Sequence, residues 1–225
     1  MYKKGDLFKF NFSFDADDFK DAKFWINGIN SAFGTAAWAF VTGLLASSGL
    51  SAFALGAAFL LVSGAIGGNY NGIVNFSRFL QGQESLVNFI FNFAIFQIFG
   101  GACFLWVFNF FGFYAFADAS ADFLSFDFSN WKGLFFSGEF FGIFVYTLFL
   151  NKTENSRAGI ADGFWDIALI ALAQAAGAKF FFPAAAFFGA EGAFFARFVN
   201  VGAWATVFFQ FLASLVFAVI AEYVW

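Results

Sequence analysis

The chain has 225 residues, of which 61% are hydrophobic, 25% aromatic and only 12% charged; its mean hydropathy is +0.76. A soluble domain spends about 25% of its residues on charge, and a fold of this length has too little interior to hide so much apolar surface, which excludes a soluble enzyme. The net charge of -4 and pI near 4.7 exclude nucleic acid as a partner, and the single cysteine, Cys103, excludes a disulfide-stapled secreted domain.

What remains is an all-α, multi-pass membrane protein whose main partner is the lipid bilayer. A crossing helix takes about 20 mostly apolar residues, and that length divides the chain. Residues 1–23 alternate Phe8, Phe10, Phe12 and Phe14 with Lys and Asp and have no continuous apolar run. They are predicted to form an N-terminal surface arm, as a bound strand or an amphipathic anchor. The transmembrane domain is predicted over 24–225. Its first span is expected at 24–46 and its second at 50–66, separated by Ser47-Ser48-Gly49. Residues 67–83, with Asn69, Asn71, Asn75 and Arg78, are too polar to span. A third span at 85–111 closes a first repeat over 24–111. The loop at 112–132 is acidic, with Asp118, Asp122 and Asp127. The second repeat, 133–225, opens with a fourth span at 133–150. A polar loop at 151–162 leads to a fifth span at 164–178. Residues 179–200 are interrupted by Pro183, and the sixth span is expected at 201–225.

In this topology Lys3, Lys4, Lys9, Lys20, Lys23, Arg78, Lys152 and Arg157 fall on one side of the membrane. Only Lys132, Lys179 and Arg197 fall on the other. Positive residues favour the cytoplasmic side or its equivalent, so both termini are expected there. Gly28, Gly100, Gly101 and other small residues on the spans permit the close helix contact that membrane bundles need. Cys103 reads as a small buried apolar residue.

The halves resemble each other. Ser31-Ala32-Phe33-Gly34 in the first span corresponds to Glu139-Phe140-Phe141-Gly142 in the fourth. Each half then has a second span, a short interrupted segment and a third span. A unit with an odd number of spans, repeated once, sits in opposite orientations, and broken segments at matching positions mark a transport site.

On these residues the chain resembles the aquaporin (major intrinsic protein) family. Its first interrupted segment carries Asn71-Gly72-Ile73 and its second Phe182-Pro183-Ala184, where the family has two Asn-Pro-Ala triplets. Gln97-Ile98-Phe99-Gly100-Gly101 is similar to the family's Gln-x-x-Gly-Ala. The resemblance implies six transmembrane helices plus two re-entrant half-helices meeting at mid-membrane, and a homo-tetramer. It implies that Ala185 stands at the selectivity position usually held by Arg, and that Glu139 braces the second loop by accepting backbone N–H groups. Phe182 departs from the family's Asn, Gly72-Ile73 from its Pro-Ala, and Ser31 from its first-span Glu.

A half-helix leaves its first N–H groups unpaired and carries partial positive charge at that end. Two such ends at mid-membrane disfavour cations. Asn71 can offer a donor to a passing solute or cap its own helix; Phe182 can offer none and would dry the path. Pro183 suits a first helical turn. Lys179 and Arg197 are candidates for a pore cation, or snorkel to water from the membrane edge. The chain has no His, no paired thiol and no phosphate-cradling Gly-Lys-Ser/Thr, so no cofactor or metal is expected. Two functions fit: a channel passing water or a small neutral solute such as glycerol, or a non-conducting aquaporin-fold structural or accessory subunit of a larger membrane assembly.

Overall fold

The computed structural model describes residues 7–13, 16, 18–48, 71–111, 183–188 and 193–223. The predicted second, fourth and fifth spans and the loops at 112–132 and 151–162 lie outside the described residues, as do Phe182, Lys179 and Glu139. Among the described residues the chain is helical, with no strand. Helices α1 (Ala22–Ser48), α2 (Gly72–Leu80), α3 (Leu86–Phe110), α4 (Ala193–Phe198) and α5 (Val201–Tyr223) follow in order. Short 3-10 turns occupy Asp18–Lys20 and Pro183–Phe187.

Four of these helices begin on a side chain that accepts an otherwise orphaned N–H, the capping preference of Asp, Asn and Ser. Asp21 Oδ1 accepts from the Lys23 amide at 2.9 Å. Asn71 Oδ1 accepts from the Ile73 amide at 3.0 Å. Ser85 Oγ accepts from the Asn88 amide at 3.2 Å, and Asn200 Oδ1 from the Gly202 amide at 2.7 Å. α1 and α5 share a further device. Trp25 and Trp204, each in the first turn, donate Nε1–H to the carbonyls of Phe19 and Phe198 at 2.8 and 2.7 Å.

Aromatic seams fix the helix directions. Phe24 pairs with Phe91 at 6.2 Å between ring centroids, Phe33 with Phe104 at 5.4 Å and Phe40 with Phe108 at 5.9 Å. Rising numbers on α1 meet rising numbers on α3, so these helices are parallel. Phe198, in contact with Trp204 at the start of α5, lies 5.0 Å from Phe99, whereas Phe211 further along lies 5.2 Å from Phe93. α5 therefore runs antiparallel to α3. Its far half joins Leu7 and Leu80 through Phe217. Such ring pairs are worth about 0.5–1.5 kcal/mol each beyond burial. The α1–α3 seam closes on small residues: a β-carbon on Gly100 would sit 2.7 Å from Ala32 Cβ, and one on Gly28 2.3 Å from the Phe96 ring.

α3 is not a uniform α-helix. Its central stretch, Phe91–Gly100, has π geometry. α3 over Leu86–Phe110 and α5 over Val201–Ile220 are long and apolar enough to cross a membrane. α1 has the length at 27 residues but carries a polar stripe, Asn27, Ser31 and Thr35. Cys103 is exposed, correcting the expectation of burial. It shares the outward face of α3 with Phe99, Trp106 and Val107, while Ile98, Ala102 and Leu105 face inward.

The arm lies along the α2–α3 turn. Phe8 donates its amide to the Leu80 carbonyl at 2.8 Å, and the Asn11 carbonyl accepts from the first amide of α3, Leu86, at 2.9 Å. Both bonds satisfy backbone groups that a helix end leaves unpaired. Phe10 rests on Phe79 at 5.3 Å. Leu7 and Phe8 form a turn in which Phe8 has φ 65°, and the residues after it dock on α3 through a single isolated parallel bridge from Asn11 to Ser85.

Candidate functional site

α2 is nine residues long, far short of a span. It begins at mid-bundle: Gly72 lies against Phe93 and Gln97. It ends at the arm, where Leu80 meets Leu7 and Phe217. Its N-terminus, the partially positive end of the helix dipole, thus points into the bundle. Asn71 is the buried cap of that end.

The second short segment packs against α2 and against the π stretch of α3. Pro183 opens it, where a missing N–H costs nothing. Ala184, Ala186 and Phe187 have no solvent exposure and join Ile73 in one apolar cluster. The structure therefore places Ile73 and Ala184 in one cluster where the start of α2, with Asn71 and Gly72, packs against the turn that Pro183 opens. Ala185 lies within the same turn, its side chain outside the described residues. Arg197, expected at the membrane edge or in a pore, is 5% exposed and donates Nη1–H to the Phe188 carbonyl just past the turn. Snorkelling is overturned: α4 folds back over the turn, and the guanidinium satisfies a carbonyl that has no helical partner there.

Below α2 lies a cavity of about 460 Å³ with a strongly polar wall. Asn11 and Ser13 come from the arm, Asn27 and Ser31 from α1, Arg78 from α2, and Glu84, Asn88 and Asn92 from the turn and α3. From its wall a chain of side-chain hydrogen bonds runs inward. Glu84 accepts from Asn92 Nδ2 at 2.7 Å through Oε1 and from Asn75 Nδ2 at 3.3 and 3.2 Å through both oxygens. Asn75 Oδ1 accepts from Gln97 Nε2 at 3.0 Å. Gln97 and Asn75 are fully buried, level with the start of α2.

The π stretch makes this chain possible. In an α-helix residues five apart point about 140° away from each other. The i→i+5 bonding of a π-helix brings them closer to one face. Asn92 and Gln97 can then both turn toward α2.

Burial pushes the Glu84 carboxyl above the ordinary carboxylate range; the hydrogen bonds from Asn92 and Asn75 and the charge of Arg78 pull the other way without cancelling it. Arg78, in the last turn of α2, lines this cavity.

Several polar residues here escape a hydropathy reading. Glu84 sits in a turn between apolar runs, where an acid reads as solvated. Thr206, Gln210 and Ser214, spaced four apart on α5, are all buried. That spacing is a helical stripe on an otherwise apolar helix, and it was the available signal. Asn27, Ser31 and Thr35 form the matching stripe on α1. Ser31 and Thr35 return their hydroxyls to the carbonyls four residues back, at 2.8 and 2.7 Å. Among the described residues no group of His, Cys, Asp and Glu is arranged to hold a metal ion. Comparison of the chain with protein-family models, curated proteins and solved structures finds no match.

Proposed function

We propose that the chain is a membrane channel of aquaporin-like design, with six spans and two re-entrant half-helices, passing water or a small neutral solute such as glycerol. The observation that carries this reading is α2. A nine-residue helix starts at mid-bundle on an asparagine cap and packs there against a second short, proline-initiated segment. Short helices ending inside an apolar bundle need their ends buried in protein or set against a water-filled cavity, because membrane interiors offer no water to unpaired backbone groups.

Three further features support it. α1 and α3 are parallel and α5 antiparallel, as first, third and sixth of six alternating spans would be. The outward faces of α3 and α5 are apolar, with Ile95, Phe99, Trp106, Phe208 and Val219 exposed. The polar cavity and the Glu84–Asn75–Gln97 chain lead from the inner end to the start of α2. Neutral hydrogen-bonding walls, as Asn75 and Gln97 provide among the described residues, suit neutral solutes.

One observation favours the second reading, a non-conducting structural subunit. Ile73, Ala184 and Phe187, all apolar and without solvent exposure, pack in one cluster where the two short segments meet. Purified protein in liposomes distinguishes the two. A channel gives water or glycerol swelling at least about tenfold above empty vesicles, a difference of about 1.4 kcal/mol in barrier. Swelling no faster than in empty vesicles sinks the channel and leaves the structural subunit.

A further inference from the structure

The buried chain beside α2 has a direction, and Glu84 sets it. A carboxylate only accepts hydrogen bonds, whereas an amide donates from one end and accepts at the other. Glu84 takes the Asn75 NH₂ on both oxygens at 3.3 and 3.2 Å. Asn75 is then left with Oδ1 to present inward, and Oδ1 accepts from Gln97 Nε2 at 3.0 Å. With its NH₂ turned to Asn75, Gln97 directs Oε1 toward the start of α2, 3.4 Å from where a β-carbon on Gly72 would lie.

We propose that Glu84 is a positioning residue that fixes the polarity of this amide relay, so that the mid-bundle side chain beside the α2 N-terminus presents an acceptor. The inference rests on the channel reading and deepens it into specificity. Asn71 already accepts the amides of Ile73, Val74 and Asn75 through its side chain and carbonyl, so the α2 end supplies the Gly72 amide and partial positive charge. An oxygen beside that amide completes a site for a group that both donates and accepts, a hydroxyl or a primary amide. Solutes that cannot donate lose one partner there.

The relay fails when Glu84 binds a proton. The carboxyl then carries a donor of its own, and Asn75 no longer has to give its NH₂ to both oxygens. Once Asn75 turns over, Gln97 follows and brings its NH₂ against the positive end of α2. Arg78 on α2 is the charged group lining the cavity beside Glu84. The groups from the arm, α1 and α3 are neutral: Asn11 and Ser13, Asn27 and Ser31, Asn88 and Asn92. The burial of Glu84, 9% exposed, favours this protonation.

The test uses the full chain in liposomes between about pH 4 and about pH 8, a range wide enough to titrate a shifted carboxyl. Glycerol flux is followed alongside infrared spectra of protein carrying isotope-labelled glutamine; a Gln97→Met control identifies the Gln97 band. In the parent protein, acidification is expected to lower glycerol flux about fivefold, the worth of one neutral hydrogen bond. A carboxyl band appears over the same pH range, and the Gln97 amide band shifts with it. Glu84→Gln removes the carboxyl band and flattens the pH profile; Glu84→Asp restores a slope. An unchanged profile in Glu84→Gln overturns the proposal, as does a carboxyl band that titrates while the Gln97 band stays fixed. If no protein-dependent flux occurs at any pH, the channel reading fails by itself. The infrared result then decides: a Gln97 band that follows the carboxyl upholds the relay, and one that does not overturns it.

Discussion

Asn71 and Glu84 carry the most weight for single side chains. The Asn71 carboxamide caps α2 from a position that is 5% exposed, where water cannot replace it. Asn71→Ala is expected to cost about 1 kcal/mol of stability, read as a lower thermal unfolding midpoint in detergent. Asn71→Ser, which keeps a capping oxygen, recovers most of the loss. An Ala variant as stable as the parent would show that the cap is dispensable. Glu84 gives a signed pH dependence. Its folded pKa is raised, chiefly by burial, so the folded state holds the proton more tightly than the unfolded chain. The associated stabilisation is present below the ordinary carboxylate range and is lost as pH rises through the raised value. Unfolding midpoints should fall over that window in the parent protein. They should stay level in Glu84→Gln, whose neutral amide escapes the burial penalty. A parent midpoint that rises across the window contradicts this assignment.

For whole elements, close approach decides the packing. α1 and α3 meet where a β-carbon on Gly100 would collide with Ala32 Cβ at 2.7 Å. Gly100→Ala is expected to destabilise by about 1–3 kcal/mol, the usual cost of overpacking. Ala32→Gly in the same chain should return much of it, because the two changes share one contact. No recovery in the double variant would mean that the clash lies elsewhere. The arm depends on Gly82 in a similar way. Gly82 has φ +69°, and a β-carbon there would meet the Lys9 carbonyl at 1.9 Å. Gly82→Ala is therefore both conformationally strained and obstructive, and it should lift residues 7–13 off the α2–α3 turn. Trypsin cleavage after Lys9 should become markedly faster. Cleavage at the parent rate would show that the arm tolerates the change.

In the molecule as a whole, helix direction fixes which ends are neighbours. The start of α1 and the end of α5 lie at the same end of the bundle, with the arm, the α2–α3 turn and the polar cavity. A membrane-impermeant maleimide should label Ser13→Cys and Tyr223→Cys, each in a Cys103→Ser background, from one and the same side. Labelling from opposite sides would break the antiparallel relation of α5 to α1. The apolar length of α3 and α5 was legible in sequence, and their starts at Leu86 and Val201 fall within a residue of the spans expected from 85 and 201. The polar interior was less so. Glu84 and the Thr206, Gln210 and Ser214 stripe are conspicuous only once their neighbours are known.

By itself the sequence determined that this chain must keep most of its surface away from water, that it does so on long helices, and that two short segments interrupt them. These follow from composition, apolar run length and capping chemistry, all of which act within a few residues. Only the tertiary structure decided that α1 and α3 run parallel, that Arg197 turns inward and Cys103 outward, and that Glu84 reaches Gln97 through Asn75. Those outcomes depend on which faces meet across tens of residues. The π stretch in α3 and the close approach of Gly28 on α1 to Phe96 are examples, and neither has a signature in local hydropathy.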